Sequence, residues 1–323
     1  MSEETSSKQP EARSRKPAAG KEEIKSVLIT GGSGMLGSAL TELLLQRGYQ
    51  VSHLGRSPSM GKVKCFRWSV QEKYVDPKAL LGVDAVIHLA GASVAEKRWT
   101  AERKKELLES RTQSGALLVE TLSNTPNTVK VVLSATAIGY YGLATLDNWC
   151  TEESQAGTDF LAGVTREWEN SVKGIDALAI RLALIRIGVV LSNKGGALME
   201  MAAPVKWGVG APLGSGKQWV SWVHIDDVCK MFLFALEHES VCEIYNAVAP
   251  NPVTNRELNT AIAKAMHRPL ILPPVPAFVL KIILGEMYEI VVSGARVSSD
   301  KIKNAGFEFS YTDAVSAVKG LIG

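Results

Sequence analysis

The sequence is poor in the features that mark whole classes of protein. Its 323 residues hold four cysteines, Cys65, Cys150, Cys229 and Cys242, with no Cys-x-x-Cys pair and no Cys/His cluster. That scatter suggests neither a disulfide framework nor a zinc or other metal site, and it fits reduced thiols in a cytoplasmic setting. Neither sign of charge dominates: 36 Lys and Arg against 33 Asp and Glu leave +3, which gives no reason to expect nucleic acid or an anionic membrane as partner. Long apolar runs are missing too. Residues 277–284 (Ala-Phe-Val-Leu-Lys-Ile-Ile-Leu) come closest to a spanning segment, but the run is short and carries Lys281. Residues 1–25 lack large aliphatics apart from Ile24 after Met1, and Ser, Glu, Lys, Arg, Pro and Ala dominate them. There is no apolar core for a signal peptide, and the glutamates argue against a transit sequence, so a disordered tail is expected.

What remains is an alternating pattern. Strand-like runs fall at 27–30, 51–54, 63–68, 85–90, 129–134, 179–187 and 244–246, with helical patterns near 35–47, 101–123, 159–173, 196–206 and 227–238. Alternation with short connections predicts an α/β fold, a Rossmann-type doubly wound parallel sheet covered on both faces. After about 250 the pattern turns helical and is punctuated by Pro269, Pro273, Pro274 and Pro276. The expected organisation is a dinucleotide-binding domain over 26–250, with some substrate-side loops, and a smaller C-terminal substrate lobe over 251–323.

The first strand breaks into Thr30-Gly31-Gly32-Ser33-Gly34-Met35-Leu36-Gly37 and then an amphipathic helix. In that context Gly31 makes the tight turn, Gly34 lets backbone approach a pyrophosphate, and Gly37 lets helix pack on strand. The helix start favours bound phosphate. After the second strand an NAD site usually carries Asp or Glu, but here the chain reads Gly55-Arg56-Ser57. Arg56 offers a charged fork and Ser57 a hydroxyl to a 2′-phosphate, so NADP is expected in preference to NAD. The alternative reading of Arg56 is a solvated surface arginine.

With these motifs the chain resembles an extended short-chain dehydrogenase/reductase, the group that includes nucleotide-sugar epimerases. More narrowly it is similar to the atypical epimerase-family branch, the NAD-dependent epimerase/dehydratase type. The residues behind the narrower resemblance are Arg98-Trp99-Thr100 with Ser110-Arg111, and Ile138-Gly-Tyr-Tyr-Gly142. Gly214-Ser-Gly-Lys-Gln218, Trp222-Val-His-Ile-Asp-Asp227, Gly285-Glu-Met287 and Gly306-Phe-Glu-Phe309 complete it. The resemblance covers about residues 26–320. It implies that Leu89, Ala90 and Gly91, closing Asp84-Ala-Val-Ile-His-Leu-Ala-Gly91, run beside the cofactor with Met35 and Leu36. It also implies an oxidoreductase or epimerase acting by hydride transfer on a small-molecule substrate, with a second copy as the candidate homodimer partner. A cofactor-binding sensor or scaffold without turnover is the alternative.

The family's reaction centre is a Ser or Thr ending the fifth strand and a Tyr-x-x-x-Lys pair on the next helix. Thr136 matches the first. Where Tyr and Lys belong, the helix from Asp159 carries Phe160 and Val164 or, shifted by one, Leu161 and Thr165, and Phe160, Val164, Trp168 and Val172 form an apolar i, i+4 stripe. Tyr140 and Tyr141 are the candidate replacement acids, or else walls of the pocket. Arg111 shares a helix face with Leu107, Leu118 and Leu122, so it points inward and needs an acceptor: an anion, a substrate carboxylate or a buried acid. Arg186 resembles the family's substrate-side arginine. His224 is a substrate contact or a scaffold residue, with Asp226 or Asp227 as N-cap of the helix that follows. The glycine-rich stretch 207–219 is either a substrate cover or a tight connection, and it does not fit a P-loop.

Overall fold

The computed structural model describes residues 24–61 and 63–323, with the side chains of 144–146 outside the description. The predicted disordered tail therefore lies outside the described residues except for its last two. Ile24 packs against the core, and the Lys25 amide donates to Asp84 Oδ2 at 2.9 Å.

Among the described residues, seven parallel strands form the centre: β1 (Ser26–Thr30), β2 (Gln50–Gly55), β3 (Lys64–Ser69), β4 (Ala85–His88), β5 (Val131–Ala137), β6 (Arg181–Ile187) and β7 (Ile244–Ala247). They lie in the order β7-β6-β5-β4-β1-β2-β3. The chain winds outward from β1 to β3, then returns to β4 on the other side of β1 and winds outward again. The order reverses between β1 and β4, and a ligand binds in the crevice beyond their carboxyl ends. Two-residue strands, Ser59–Met60 and Tyr74–Val75, pair antiparallel with β3. The first carries the β2–β3 return in place of a helix.

Because the sheet is buried on both faces, its central strands are apolar over most of their length. Alternation sends Val27 and Ile29 toward one core with α1 (Met35–Gln46) and α5 (Ile225–Glu237), and Leu28 toward another with α2 (Ala101–Asn124). The apolar stripe of α3 (Phe160–Val172) buries Val164, Trp168 and Val172, with Phe160 half-buried. Two expected boundaries move. β5 runs on to Ala137, because Thr136 pairs with Arg186 and Ala137 with Ile187 beyond the apolar run. β6 starts at Arg181, because Ala179 takes a left-handed φ of 56°.

A separate core joins α4 (Ala197–Lys206), α6 (Asn255–Ala265) and the C-terminal helix Ala314–Ile322. It draws Leu191, Leu198, Val205 and Trp222 from before residue 250. α7 (Ala277–Leu284) buries only Leu280 and leaves Phe278 and Ile282 exposed. No described helix is long and apolar enough to cross a membrane.

Candidate functional site

The turn after β1 is shaped for backbone contact. Gly31 has φ +71°, and a Cβ there would lie 3.0 Å from the Leu89 carbonyl carbon and 3.1 Å from Ala90 N. A Cβ on Gly37 would lie 2.3 Å from the Gly31 carbonyl oxygen. The predicted glycines and Leu89 and Ala90 are therefore brought to one place. Gly34 caps α1 with no side-chain bond, and the first turn carries no acid. Its amides and dipole are left for an anion. Met35 lies beneath Gly196, while Leu36 packs on the core, so any part it plays at the site is through its backbone. Thr30 pairs with Leu54 across β1 and β2, which sets exposed Arg56 and Ser57 beside the turn. No acid stands there. These features fit a dinucleotide with a 2′-phosphate.

Two residues to which the motifs assign no role hold this arrangement. Thr30 Oγ1 accepts from the Leu89 and Ala90 amides at 3.1 and 3.2 Å and sits 2.8 Å from His88 Nδ1. His88 is fully buried, and burial pushes it down to about 4. It is therefore neutral, taking the Thr30 proton at Nδ1 and facing Ser114 Oγ with Nε2 at 3.4 Å. A histidine inside an otherwise apolar strand was the available signal.

Arg111 is 8% exposed and finds no acid. Its Nη1 and Nη2 donate to the Leu107 and Ala92 carbonyls, each at 2.9 Å, and the guanidinium lies 5.0 Å from the Trp168 ring. Burial, then neighbouring Arg103, lowers its pKa to about 10. Among the described residues no buried acid reaches it, and main-chain carbonyls accept from it instead. Ser110 Oγ accepts from the Ala92 amide at 3.1 Å, so α2 clamps the segment after Gly91.

The centre around β5 is a buried polar network. Arg186 grips Glu169 with two bonds, Nε to Oε1 at 2.8 Å and Nη2 to Oε2 at 2.9 Å. Thr136 donates to the same carboxylate at 3.1 Å. Tyr141 accepts from Arg186 Nη1 at 3.1 Å and donates to Asn246 Oδ1 at 2.7 Å. Burial opposes the Arg186 charge, but Glu169 and then Tyr141 outweigh it and hold its pKa above the usual arginine value. Burial, only partly offset by Arg186, pushes Tyr141 up to about 12. Thr136, Tyr141 and Arg186 are thus brought together, but facing one another. Tyr140 is half-buried, its ring centroid 3.4 Å from the Arg186 guanidinium carbon. Phe160, at the start of α3, packs edge-on against Trp99 at 5.3 Å.

His224 stands apart from this group. It is 3% exposed, caps α5 by accepting from the Asp226 amide at 3.1 Å, and stacks on Tyr311 at 3.8 Å. The expected cap, Asp226 or Asp227, is corrected: the imidazole sits in register with the helix start. Asp227 is fully buried and accepts from the Ser310 and Tyr311 amides at 3.0 and 2.9 Å. The stretch 207–219 is tied down beyond its tip, with Gly214 N donating to Val275 O at 2.9 Å and Gln218 Nε2 to Val291 O at 2.7 Å.

The NAD dependent epimerase/dehydratase family description matches residues 27–159 and 194–247, and a domain of unknown function (DUF1731) matches 275–321. An epimerase family protein of Staphylococcus aureus (strain MRSA252) is 34% identical over 302 residues, covering 93% of this chain and 99% of its own. The Arabidopsis thaliana "epimerase family protein SDR39U1 homolog, chloroplastic" is 37% identical over 309 residues, 94% of this chain and 88% of its own. The crystal structure of human epimerase family protein SDR39U1 (isoform2) with NADPH superposes with TM-score 0.82 at 30% identity, covering 92% of this chain and 99% of that one.

Proposed function

Since this chain belongs to the NAD dependent epimerase/dehydratase family, we propose that it binds NADPH in the crevice between β1 and β4 and exchanges hydride with a small polar substrate. The carrying observation is the turn at 31–37, backbone closed to any Cβ at Gly31 and Gly37, beside Arg56 where an NAD site would carry an acid. The human relative was crystallised with NADPH, which supports the same reading. When bound, NADPH supplies the hydride, and the chain's residues hold and orient it. The turn takes the pyrophosphate on its amides, Arg56 and Ser57 take the 2′-phosphate, and Leu89, Ala90 and Gly91 flank the cofactor. Arg111 and Arg186 set the field at the substrate end. Of the two phenols we assign Tyr140 to the substrate side, since the Tyr141 hydroxyl is bonded in both directions.

The test titrates NADPH and NADH into wild type and Arg56→Ala. NADPH should bind wild type at least about tenfold more tightly, the scale of a charge-assisted hydrogen bond, and Arg56→Ala should erase the preference. Equal wild-type affinities would sink the reading.

A second reading, an NADPH-binding sensor without turnover, has its own observation: Phe160 and Val164 replace the family's proton-transfer pair, and Thr136 turns its hydroxyl to Glu169. NADPH oxidation followed by absorbance over a panel of carbonyl substrates separates the two. Oxidation that slows in Tyr140→Phe supports the enzyme, whereas tight binding with no oxidation across the panel selects the sensor.

A further inference from the structure

β2 carries a histidine in the layer beneath the proposed 2′-phosphate site. His53 pairs in register with Ile29 of β1 and Cys65 of β3, one residue before the level of Thr30 and Leu54. Its ring lies against the glycine turn: a Cβ on Gly32 would fall 2.5 Å from the ring's Cγ and Cδ2. Gly55, two residues on and on the same face of β2, has no side chain to stand over the ring. Arg56 and Ser57 follow, both exposed.

The hydrogen bonds fix how the ring is protonated. Thr41 Oγ1 gives its proton to the Gly37 carbonyl at 2.7 Å and lies 2.8 Å from His53 Nε2. With that proton spent, Thr41 can only accept, so Nε2–H donates and Nδ1 is the nitrogen that takes up a proton. The groups facing the ring are few. α1 presents Thr41, and its nearest acid, Glu42, is exposed and 3.9 Å from Lys194. β1 presents Ile29, and β3 presents Cys65, whose thiol burial pushes up. Arg56 follows at the strand end and is exposed. Burial alone holds the half-buried imidazole below its ordinary value, so it is neutral at pH 7 without a ligand.

We propose that His53 is a specificity residue for the adenosine 2′-phosphate, taking up a proton at Nδ1 when NADPH binds and supplying a second cation behind Arg56. This rests on the NADPH reading. A dianionic 2′-phosphate beside Arg56 favours the charged ring. Affinity for NADPH is then lowest where the ring stays neutral in the complex, and it rises as the pH falls toward the free protein's value for His53. NADH brings the pyrophosphate but no 2′-phosphate, and gains less.

The experiment measures NADPH and NADH affinity from pH 8 to pH 5.5 for wild type and for His53→Gln, whose amide keeps a neutral donor to Thr41. The phosphate's own protonation acts equally on both proteins, so the ratio of the two NADPH affinities isolates the imidazole. That ratio should grow by roughly tenfold in favour of wild type as the pH falls, one unit of pKa shift. Calorimetry on wild type in buffers of different ionisation enthalpy should show more proton uptake with NADPH than with NADH. His53→Val, an apolar strand former, serves if the glutamine variant is unstable. Parallel pH profiles in wild type and variants, or equal proton uptake with the two cofactors, would overturn the proposal while the NADPH preference stands. Equal affinity for NADPH and NADH in wild type would overturn the cofactor reading instead, and this proposal with it.

Discussion

The glycine turn and the β5 centre lie on the same sheet and use their polar groups in opposite ways. At the turn, backbone amides and a helix start face outward with no side-chain cap and no nearby acid. At the centre, every strong group faces another of its own chain: Thr136 and Arg186 meet on Glu169, and Tyr141 sits between Arg186 and Asn246. One region is built to be completed by an anion. The other is complete already. Changes at the turn should therefore appear in cofactor binding, and changes at the centre in stability.

The largest expected effect lies at the centre. Glu169→Ala leaves Arg186, 1% exposed, without its counter-charge, and should cost about 3–5 kcal/mol of unfolding free energy by urea denaturation. A loss below about 1 kcal/mol, as at an exposed pair, would break the comparison. Next is pH. His88 sits at about 4 in the fold against 6.5 when unfolded. Its neutral form is favoured by folding, so that stability is whole above 6.5 and is lost as the pH falls toward 4. The difference is about 3 kcal/mol, and His88→Asn should flatten the acid limb of the stability curve. Third, Gly37→Ala drives a methyl into the Gly31 carbonyl. NADPH affinity should fall about a hundredfold, near 2.7 kcal/mol, by fluorescence titration; affinity within a factor of two would show the turn is not the binding surface. Smallest is Tyr141→Phe, which should cost about 1 kcal/mol and leave NADPH affinity unchanged. A comparable loss of affinity there would join the two regions the comparison separates.

This contrast also explains what could be read from the sequence. Central strands buried on both faces leave apolar runs, and a glycine turn leaves glycines, so β1, β4 and the cradle at 31–37 were legible. The missing carboxylate beside Arg56 is visible in one dimension. The centre was not. Glu169 lies on α3 beside Trp168 and, read alone, is an acid on the solvent side of an amphipathic helix. Its partner Arg186 is 17 residues away and Asn246 is 105 residues from Tyr141, distances no local pattern encodes. Arg111 was placed inside by its leucine neighbours, yet its acceptors are main-chain carbonyls, which every residue has. The cap of α5 was misplaced for a related reason: aspartate is the commoner cap, and only the fold reveals that Asp227 is needed by Ser310 and Tyr311.

That last carboxylate has a consequence for how the protein is made. Asp227 leaves the ribosome 83 residues before Ser310, whose amide it must receive. Until then, burying its charge would leave it unsatisfied, so the first turn of α5 cannot settle with its acid sealed beneath the lobe. The nascent chain must therefore carry a half-finished helix through most of the lobe's synthesis. A product ending before Ser310 would leave the Asp227 carboxylate without its two amide donors, although every strand of the central sheet had already been translated.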